Sequence, residues 1–293
     1  MDRFYEFGPA RVRFRGFPHY GDWPFWEWKA EPWTAAAGDA HLEVLYEPKR
    51  FAKAGEMMHE ECTPSCHRAY FIQPDGGLLW QHTDLPSGRV QLQMVLEADG
   101  THLYLTRDET QTCGLASFEA LTFLMFYAFL YRGVLTLHGA LVEQEGRGFC
   151  ICAPSGMGKT THARLWRDHR NALILNSDRT TCFLDGKQWI AFGTPWCGTG
   201  GEAINRKVPL VAVVILNRGT CDRVSLATGE ELLNLVLPNL TYPVRTETTT
   251  LLMLELLDRL LDQVPVLTME CTPRESAVEA LENALKEYGY AKD

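Results

Sequence analysis

One run of residues near the middle of the chain has the types and spacing that bind phosphate. Residues 152–161 read CAPSGMGKTT, and their first two residues end the apolar run Phe149–Ala153. In a loop of this kind, successive backbone N–H groups surround a phosphate, and the following helix directs the positive end of its dipole at it. The sequence therefore predicts a phosphate-binding loop, with Ala153 in place of the usual first glycine. An ordinary glycine turn is the alternative.

Each residue type in this loop predicts a role. Gly156 and Gly158 let the backbone approach the phosphates closely, because they carry no side chain. Lys159 brings a mobile ammonium to the outer phosphates, and the hydroxyl of Thr160 is the expected Mg²⁺ ligand. The residues that we expect to contact the bound group are Ser155, Gly156, Met157, Gly158, Lys159, Thr160 and Thr161.

Phosphoryl chemistry also needs an acid for the metal and a group that handles the acceptor's proton. Asp178 comes shortly after the predicted strand Ala172–Leu175. Ligands of α/β sheets bind outside the carboxyl ends of strands, so we expect Asp178 to be a metal ligand or base, although it could instead cap a turn. His138 lies in the apolar run LHGALV (137–142), where a histidine fits either a packed core or catalysis.

The elements that must position these residues change in character along the chain. Residues 1–112 hold short strand-like runs separated by turns rich in Pro, Gly and Asp, which predicts a β-rich accessory region. A helix is predicted from Ser117 to about Tyr131, and strands and helices then alternate. This alternation predicts an α/β domain over residues 113–293. Hairpins are predicted around residues 144–148 and at Asp185–Gly186.

The composition excludes some classes of partner. The formal net charge of −9 argues against binding to nucleic acid or to anionic membranes. The most apolar run, Leu121–Tyr131, falls well short of the ~20 residues that span a bilayer. Nine cysteines without a regular framework, and no long apolar run near Met1, favour reduced thiols and a cytoplasmic location. The sequence does not decide whether the chain forms a homo-oligomer.

Three features in order resemble HPr kinase/phosphorylase and its relatives, which share their nucleotide core with phosphoenolpyruvate carboxykinase. These features are LHGALV, APSGMGKT and LILNSDR, which lie within residues 134–180. The resemblance implies a P-loop core that uses ATP and Mg²⁺, with Lys159 and Thr160 holding phosphates and metal. It also implies that Asp178 is a metal ligand and catalytic residue, and that His138 lies beside the transferring phosphate. The implied activity is phosphorylation of a hydroxyl, a serine of a peptide or small protein.

The chain departs from the family at one acid. The family closes this strand with two aspartates, and Ser177 stands where the first of them, the presumed base, is expected. Either Asp178 takes the base role, or another acid such as Glu202 does, or phosphoryl transfer has been lost. The alternative functions are therefore a nucleotide-binding regulator or weak ATPase, and a carboxykinase-like enzyme acting on a small carboxylic acid.

Three further stretches carry weaker signals. The glycine-rich run 193–201 resembles a loop of kinase-like relatives, several of which modify ribosomally made peptides, and it is either a lid or a surface loop. Arg206 and Lys207 either offset phosphate charge or face solvent. Cys62, Cys66 and His67 have no second ligand pair, so we expect no structural zinc there.

Overall fold

The computed structural model describes residues 2–16, 29–47, 55–107, 114–154 and 156–289, without the side chains of residues 114–119. Contacts divide the chain into two compact units. The first comprises Met1–Gly133 with Tyr242–Met253, and the second comprises Val134–Thr241 with Leu254–Asp293. Because strands and helices occur together, the fold class is mixed α/β.

The first unit is built on one eight-stranded sheet with the order β1-β2-β3-β8-β7-β6-β5-β4. Neighbouring strands are antiparallel, except that β3 runs parallel to both β2 and β8. Short antiparallel strands with tight turns are what the sequence of residues 1–112 predicts. The strands are β1 Arg3–Phe7, β2 Ala10–Arg15, β3 Leu42–Tyr46, β4 Glu56–Cys62, β5 Cys66–Ile72, β6 Leu78–Asp84, β7 Arg89–Leu96 and β8 His102–Arg107.

Helix α1, Gly114–Leu130, belongs to the first unit. The sequence placed the boundary at 112/113, before this helix, whereas the contacts place it after Gly133. The physical reason lies in the described side chains of residues 120–130, which are mostly apolar and buried, and the helix packs on β6, β7 and β8. Phe123 stacks on Trp80 of β6 with ring centroids 4.8 Å apart, and Phe129 lies 5.9 Å from Phe7 of β1.

Among the described residues, the second unit contains the other nine strands and four α-helices, one of them shared with the first unit. The strands are β9 Val134–Leu137, β10 Gly139–Gln144, β11 Arg147–Cys152, β12 Leu173–Asn176, β13 Thr180–Asp185, β14 Gln188–Phe192, β15 Lys207–Arg218, β16 Arg223–Leu226 and β17 Val266–Cys271. The helices are α2 Lys159–Arg170, α3 Glu231–Val236, α4 Glu247–Gln263, whose first half is assigned to the first unit, and α5 Glu275–Ala284. Both predicted hairpins, β10–β11 and β13–β14, are present.

The strands pair in the order β12-β10-β11-β15-β14-β13-β9, and β17 pairs with both β15 and β16. Strands β11, β15 and β17 are parallel neighbours. Strand β10 is antiparallel to both β11 and β12, so β11 and β12 run in the same direction. The carboxyl ends of β11 and β12 therefore share one edge of the sheet with the amino end of β10.

Helices α2 and α5 pack on the same core as strands β10, β11 and β15. Trp166 of α2 is fully buried, and its ring centroid lies 4.7 Å from that of Phe149 in β11. This packing fixes the start of α2 relative to the end of β11, which is the junction that carries the phosphate motif. Within the described ranges, no helix is long and apolar enough to cross a membrane.

Candidate functional site

The candidate site lies where three chain segments meet at one edge of the second sheet. The predicted continuous strand 134–143 is interrupted at His138, which separates β9 from β10. Strand β9 pairs with β13, whereas β10 pairs with β11 and β12, so the chain changes strand partners at this residue. Glycine fits the next position, because a Cβ on residue 139 would lie 2.5 Å from the sulfur of Cys150. His138 before β10, the glycine loop after β11 and Asp178 after β12 meet at this edge of the sheet.

The glycine loop has room for a ligand. Gly156 and Gly158 have φ values of 76° and 113°, which L side chains rarely adopt. A Cβ on Gly156 would meet no described atom within 4 Å. Ala153 is not among the described residues with positive φ and is fully buried, so the missing first glycine costs no backbone strain. Predicted Ser155 lies outside the described residues.

Helix α2 begins at Lys159 without a side-chain cap, and its first turn contains no acidic residue. The first N–H groups of a helix lack partners within it, so an uncapped start leaves donors for an anion. Thr160 is partly buried and Thr161 is exposed at this start. The predicted ligands Gly156, Met157 and Gly158 immediately precede it, so the structure brings the described members of the predicted set to one place.

Lys159 is only 7% exposed, and its ammonium is held at the junction of the three segments. Its Nζ donates to the carbonyl oxygen of Ala153 at 2.7 Å and lies 3.3 Å from Nε2 of His138. Burial lowers the pKa of Lys159, and the negative charge of Asp178 partly opposes that shift. The lysine is therefore a desolvated cation beside a carboxylate.

Asp178 completes a chain of three side chains, since its Oδ1 lies 3.1 Å from Nε2 of His138. Its Oδ2 lies 3.4 Å from Nε of Arg179. Burial alone would raise the pKa of Asp178, but the hydrogen bond with His138 and the charges of Arg179 and Lys159 lower it overall. Asp178 is accordingly ionised at neutral pH.

Nε2 of His138 cannot serve both neighbours at once, because it either donates or accepts. Lys159 already has an acceptor in Ala153, whereas Oδ1 of Asp178 needs a donor. We therefore assign the proton to Nε2, with His138 donating to Asp178. This assignment makes His138 an orienting group for the carboxylate.

The residues before Asp178 form a closed turn. The side-chain amide of Asn176 donates to the carbonyl oxygens of Thr194 and Trp196, and its Oδ1 accepts from the backbone N–H of Asp178 at 2.9 Å. The hydroxyl of Ser177 donates to the carbonyl oxygen of Cys197 at 2.9 Å. The glycine-rich run 193–201 is thus tied to this turn.

Close packing explains two glycines of that run. A Cβ on Gly198 would lie 2.8 Å from the Asp178 carboxylate, and one on Gly200 would lie 2.4 Å from the Ser177 hydroxyl. The run therefore covers the carboxylate turn, and Thr194, Trp196 and Cys197 are buried, which favours the lid alternative over a surface loop.

Two other residues singled out in the sequence, the acidic Glu202 and the basic Arg206, form ion pairs with other residues. Glu202 accepts two hydrogen bonds from Arg164 of α2, at 3.1 and 3.2 Å. Arg206 forms an ion pair with the buried Glu143 at 3.1 Å. Neither contact involves His138 or Asp178, and the contact of Glu202 with Arg164 ties the end of the glycine-rich run to α2.

Sequence reasoning missed Arg218, which ends β15. Its guanidinium donates to the carbonyl oxygen of Gly156 in the glycine loop. No local pattern could have indicated it, because the pairing of β15 with β11 brings together residues that are far apart in the chain. Asn176 and Arg179 were also missed as supporting groups, although both adjoin the predicted acid.

No family model matches the chain, and no curated protein matches it. Among solved structures, the chain is similar to the Hpr(Ser) kinase/phosphatase from Coxiella burnetii, with 11% sequence identity and a TM-score of 0.33. That match covers 52% of this chain and 97% of the other. The site assignment rests on the geometry above.

Proposed function

We propose that this protein is an HPr-kinase-like P-loop phosphotransferase that moves a phosphoryl group from ATP to a hydroxyl. The observation that carries this proposal is the chain Lys159–His138–Asp178, with steps of 3.3 and 3.1 Å, beside an uncapped glycine loop. Phosphoryl transfer needs few covalent functions from the protein, and it depends on positioning and on charges near the transferring group.

The residues present fit a magnesium–nucleotide complex. The open space at Gly156 and the uncapped start of α2 suit the phosphates, and the ammonium of Lys159 offsets their charge. Thr160 and Asp178 supply the hydroxyl and carboxylate oxygens that Mg²⁺ prefers. When bound, Mg²⁺ would neutralise charge on the phosphate oxygens.

On the protein side, Asp178 receives or orients the hydroxyl of the acceptor. Its lowered pKa keeps it ionised at neutral pH, so it accepts a hydrogen bond without first losing a proton. His138 holds one oxygen of this carboxylate in place. The run 193–201 covers the turn and limits access of water to it. The choice of a serine in a peptide or small protein rests on the resemblance seen in the sequence.

A nucleotide-binding regulator or slow ATPase is the second candidate, and one observation favours it. Ser177 stands where the resemblance implies the first of two carboxylates, and its hydroxyl holds the backbone of Cys197 instead. The site then has one acid where two functions, metal binding and proton handling, need a carboxylate.

One experiment separates these candidates. The full chain is incubated with γ-labelled ATP and Mg²⁺, with and without pooled serine-, threonine- and tyrosine-containing peptides, and nucleotide affinity is measured by calorimetry. Label transferred to a peptide hydroxyl supports the kinase. Binding of ATP–Mg²⁺ with no transfer supports the regulator. Absence of any ATP binding contradicts both.

A further inference from the structure

The hairpin formed by β4 and β5 in the first unit carries a second group of chemically active side chains. Cys62 and His67 are cross-strand partners in this hairpin, and Glu60 precedes Cys62 by two residues. Side chains two residues apart on a strand share a face, so all three project from the same side. Their ligand atoms lie within 4.8 Å of one another.

We propose that Glu60, Cys62 and His67 bind a divalent transition-metal ion of the zinc type. A thiolate, an imidazole and a carboxylate are the ligands that Zn²⁺ takes in proteins, whereas Mg²⁺ prefers oxygen alone. Three protein ligands leave one tetrahedral position for water or another ligand. The site is thus independent of the nucleotide site proposed in the second unit.

The hairpin holds two of the ligands in a defined geometry. The turn between the strands is closed by a hydrogen bond from the backbone N–H of Thr63 to the carbonyl oxygen of Cys66 at 2.9 Å. The hydroxyl of Thr63 also accepts from the backbone N–H of Cys66 at 3.0 Å. These bonds fix the register that sets Cys62 opposite His67.

The ligand set differs from Cys62, Cys66 and His67, the residues for which the sequence predicts no structural zinc. Cys66 is buried, and its sulfur lies 3.2 Å from the hydroxyl of Thr63. As the chain neighbour of His67, it points to the opposite face of β5. Glu60 takes its place through the pairing of the strands, which is why the spacing of Cys62, Cys66 and His67 in sequence hides the group.

Only small side-chain movements are needed. Nε2 of His67 and Oε2 of Glu60 are now hydrogen-bonded at 2.8 Å. Two ligand atoms on one tetrahedral zinc lie about 3.3–3.8 Å apart, given bond lengths of about 2.0–2.3 Å. To bind zinc, the distance between Nε2 of His67 and Oε2 of Glu60 must therefore increase by roughly half an ångström, and the sulfur of Cys62 must move closer to both atoms. Glu60 and Cys62 are exposed and lie on the sheet's edge strand, so such rotations meet little resistance.

The test uses the full chain without nucleotide, stripped of metal and kept reduced, in excess Mg²⁺. Zn²⁺ affinity is measured by competition with a chromogenic chelator, and Co²⁺ is used as a spectroscopic probe. We expect one Zn²⁺ per chain at this hairpin and a thiolate-to-cobalt charge-transfer band. Cys62→Ser and His67→Ala should each weaken Zn²⁺ binding by about tenfold or more, and Cys62→Ser should abolish the band.

Matched controls come from the same strand and from elsewhere in the chain. His59 and Glu61 form a pair on the opposite face of β4, with 3.7 Å between Nε2 and Oε1. His59→Ala, Glu61→Gln and substitution of the exposed Cys221 by serine should leave Zn²⁺ affinity and the cobalt band unchanged. Circular dichroism checks that every variant is folded.

Three results would overturn the proposal: no Zn²⁺ binding by the parent chain, equal affinity in Cys62→Ser, or a cobalt band that survives Cys62→Ser. Loss of the band in Cys221→Ser would place the metal elsewhere and overturn it as well.

Discussion

Two stretches meet at the candidate site and differ in how their polar groups are used. The glycine loop 153–158 is open, because Gly156 faces empty space and α2 starts without a side-chain cap. The turn 176–179 is closed, because the side chains of Asn176 and Ser177 donate hydrogen bonds to carbonyl oxygens of the glycine-rich run that covers them. Asp178 is the acid that this turn supplies.

This difference indicates which half of the site is available to bind a ligand. Unsatisfied donors are costly when buried, so a loop that leaves them free is suited to an anion that will use them. A turn whose donors are already used gives rigidity to one carboxylate. We therefore expect substitutions in the loop to act on nucleotide binding, and substitutions in the turn to act on turnover or on folding.

Lys159→Ala gives the largest expected effect. The variant removes a buried ammonium whose Nζ lies 3.3 Å from Nε2 of His138, between the loop and Asp178. We expect kcat/KM for ATP to fall by about 1,000-fold, in the range seen when a key charge-stabilising group is lost. Steady-state kinetics and calorimetric ATP binding measure it.

The controls for this variant are its thermal stability and a second lysine substitution. Because burial lowers the pKa of Lys159, its removal relieves a desolvation cost, and thermal unfolding should change little. Lys187→Ala, in the exposed turn between β13 and β14, should leave ATP binding unchanged. Unaltered ATP affinity in Lys159→Ala would remove the cation from the proposed site.

Asp178→Asn tests the role of the carboxylate in the closed turn 176–179. Asparagine keeps the shape and can still accept from His138, but it carries no charge and cannot take a proton. We expect kcat to fall by about 100-fold while ATP affinity changes by only a few-fold. Full activity would show that another group serves as the acid, and Glu202→Gln is then the variant to measure.

The open half could be predicted from sequence because its chemistry is local. The glycines, Lys159 and Thr160 are consecutive, and a strand before and a helix after them are enough to define the loop. Asp178 was predicted from its place after a strand, and the direction of β12 puts it at the expected edge. Local patterns suffice when neighbours in space are neighbours in sequence.

The remaining parts depend on pairings that no local pattern encodes. The break at His138 follows from the change of pairing partners between β9 and β10, and the position of Arg218 follows from the pairing of β15 with β11. The Glu60–Cys62–His67 group depends on hairpin register in the same way. The helix α1 was predicted, but the unit that it packs in was not, because a largely apolar sequence does not indicate which sheet the helix packs on.

Ser177→Asp restores the acid that the resemblance leads one to expect, and we expect it to fail. Ser177 is 2% exposed, and its hydroxyl faces the carbonyl oxygens of Cys197 at 2.9 Å and Glu202 at 3.4 Å. A carboxylate at this position cannot donate a hydrogen bond and would repel the two carbonyl oxygens. The free energy of unfolding should therefore fall by about 2 kcal/mol, with no gain in turnover.

Ser177→Ala is the matched variant, since it removes the donor without adding charge and should cost about 1 kcal/mol. Urea unfolding measures both. A stable Ser177→Asp variant with raised turnover would mean that the turn is not closed, and the contrast between the two halves would be lost.

His162→Leu gives the smallest effect at neutral pH and tests whether α2 depends on polar contacts. His162 is 2% exposed, and within the described chain neither ring nitrogen has a hydrogen-bond partner. Burial lowers its pKa to about 4, with Asp222 opposing the shift. An apolar residue of similar volume should therefore leave the free energy of unfolding within about 1 kcal/mol at neutral pH.

The same variant has a distinct dependence on pH. The unfolded chain protonates this histidine near its ordinary pKa of about 6.5, whereas the folded chain resists protonation until about 4. Between these values the unfolded state binds more protons, so the parent protein should lose stability as pH falls through this window, and His162→Leu should lose less. Urea unfolding at several pH values measures this, and equal slopes in His162→Leu and the parent would show that His162 is hydrated or paired in solution.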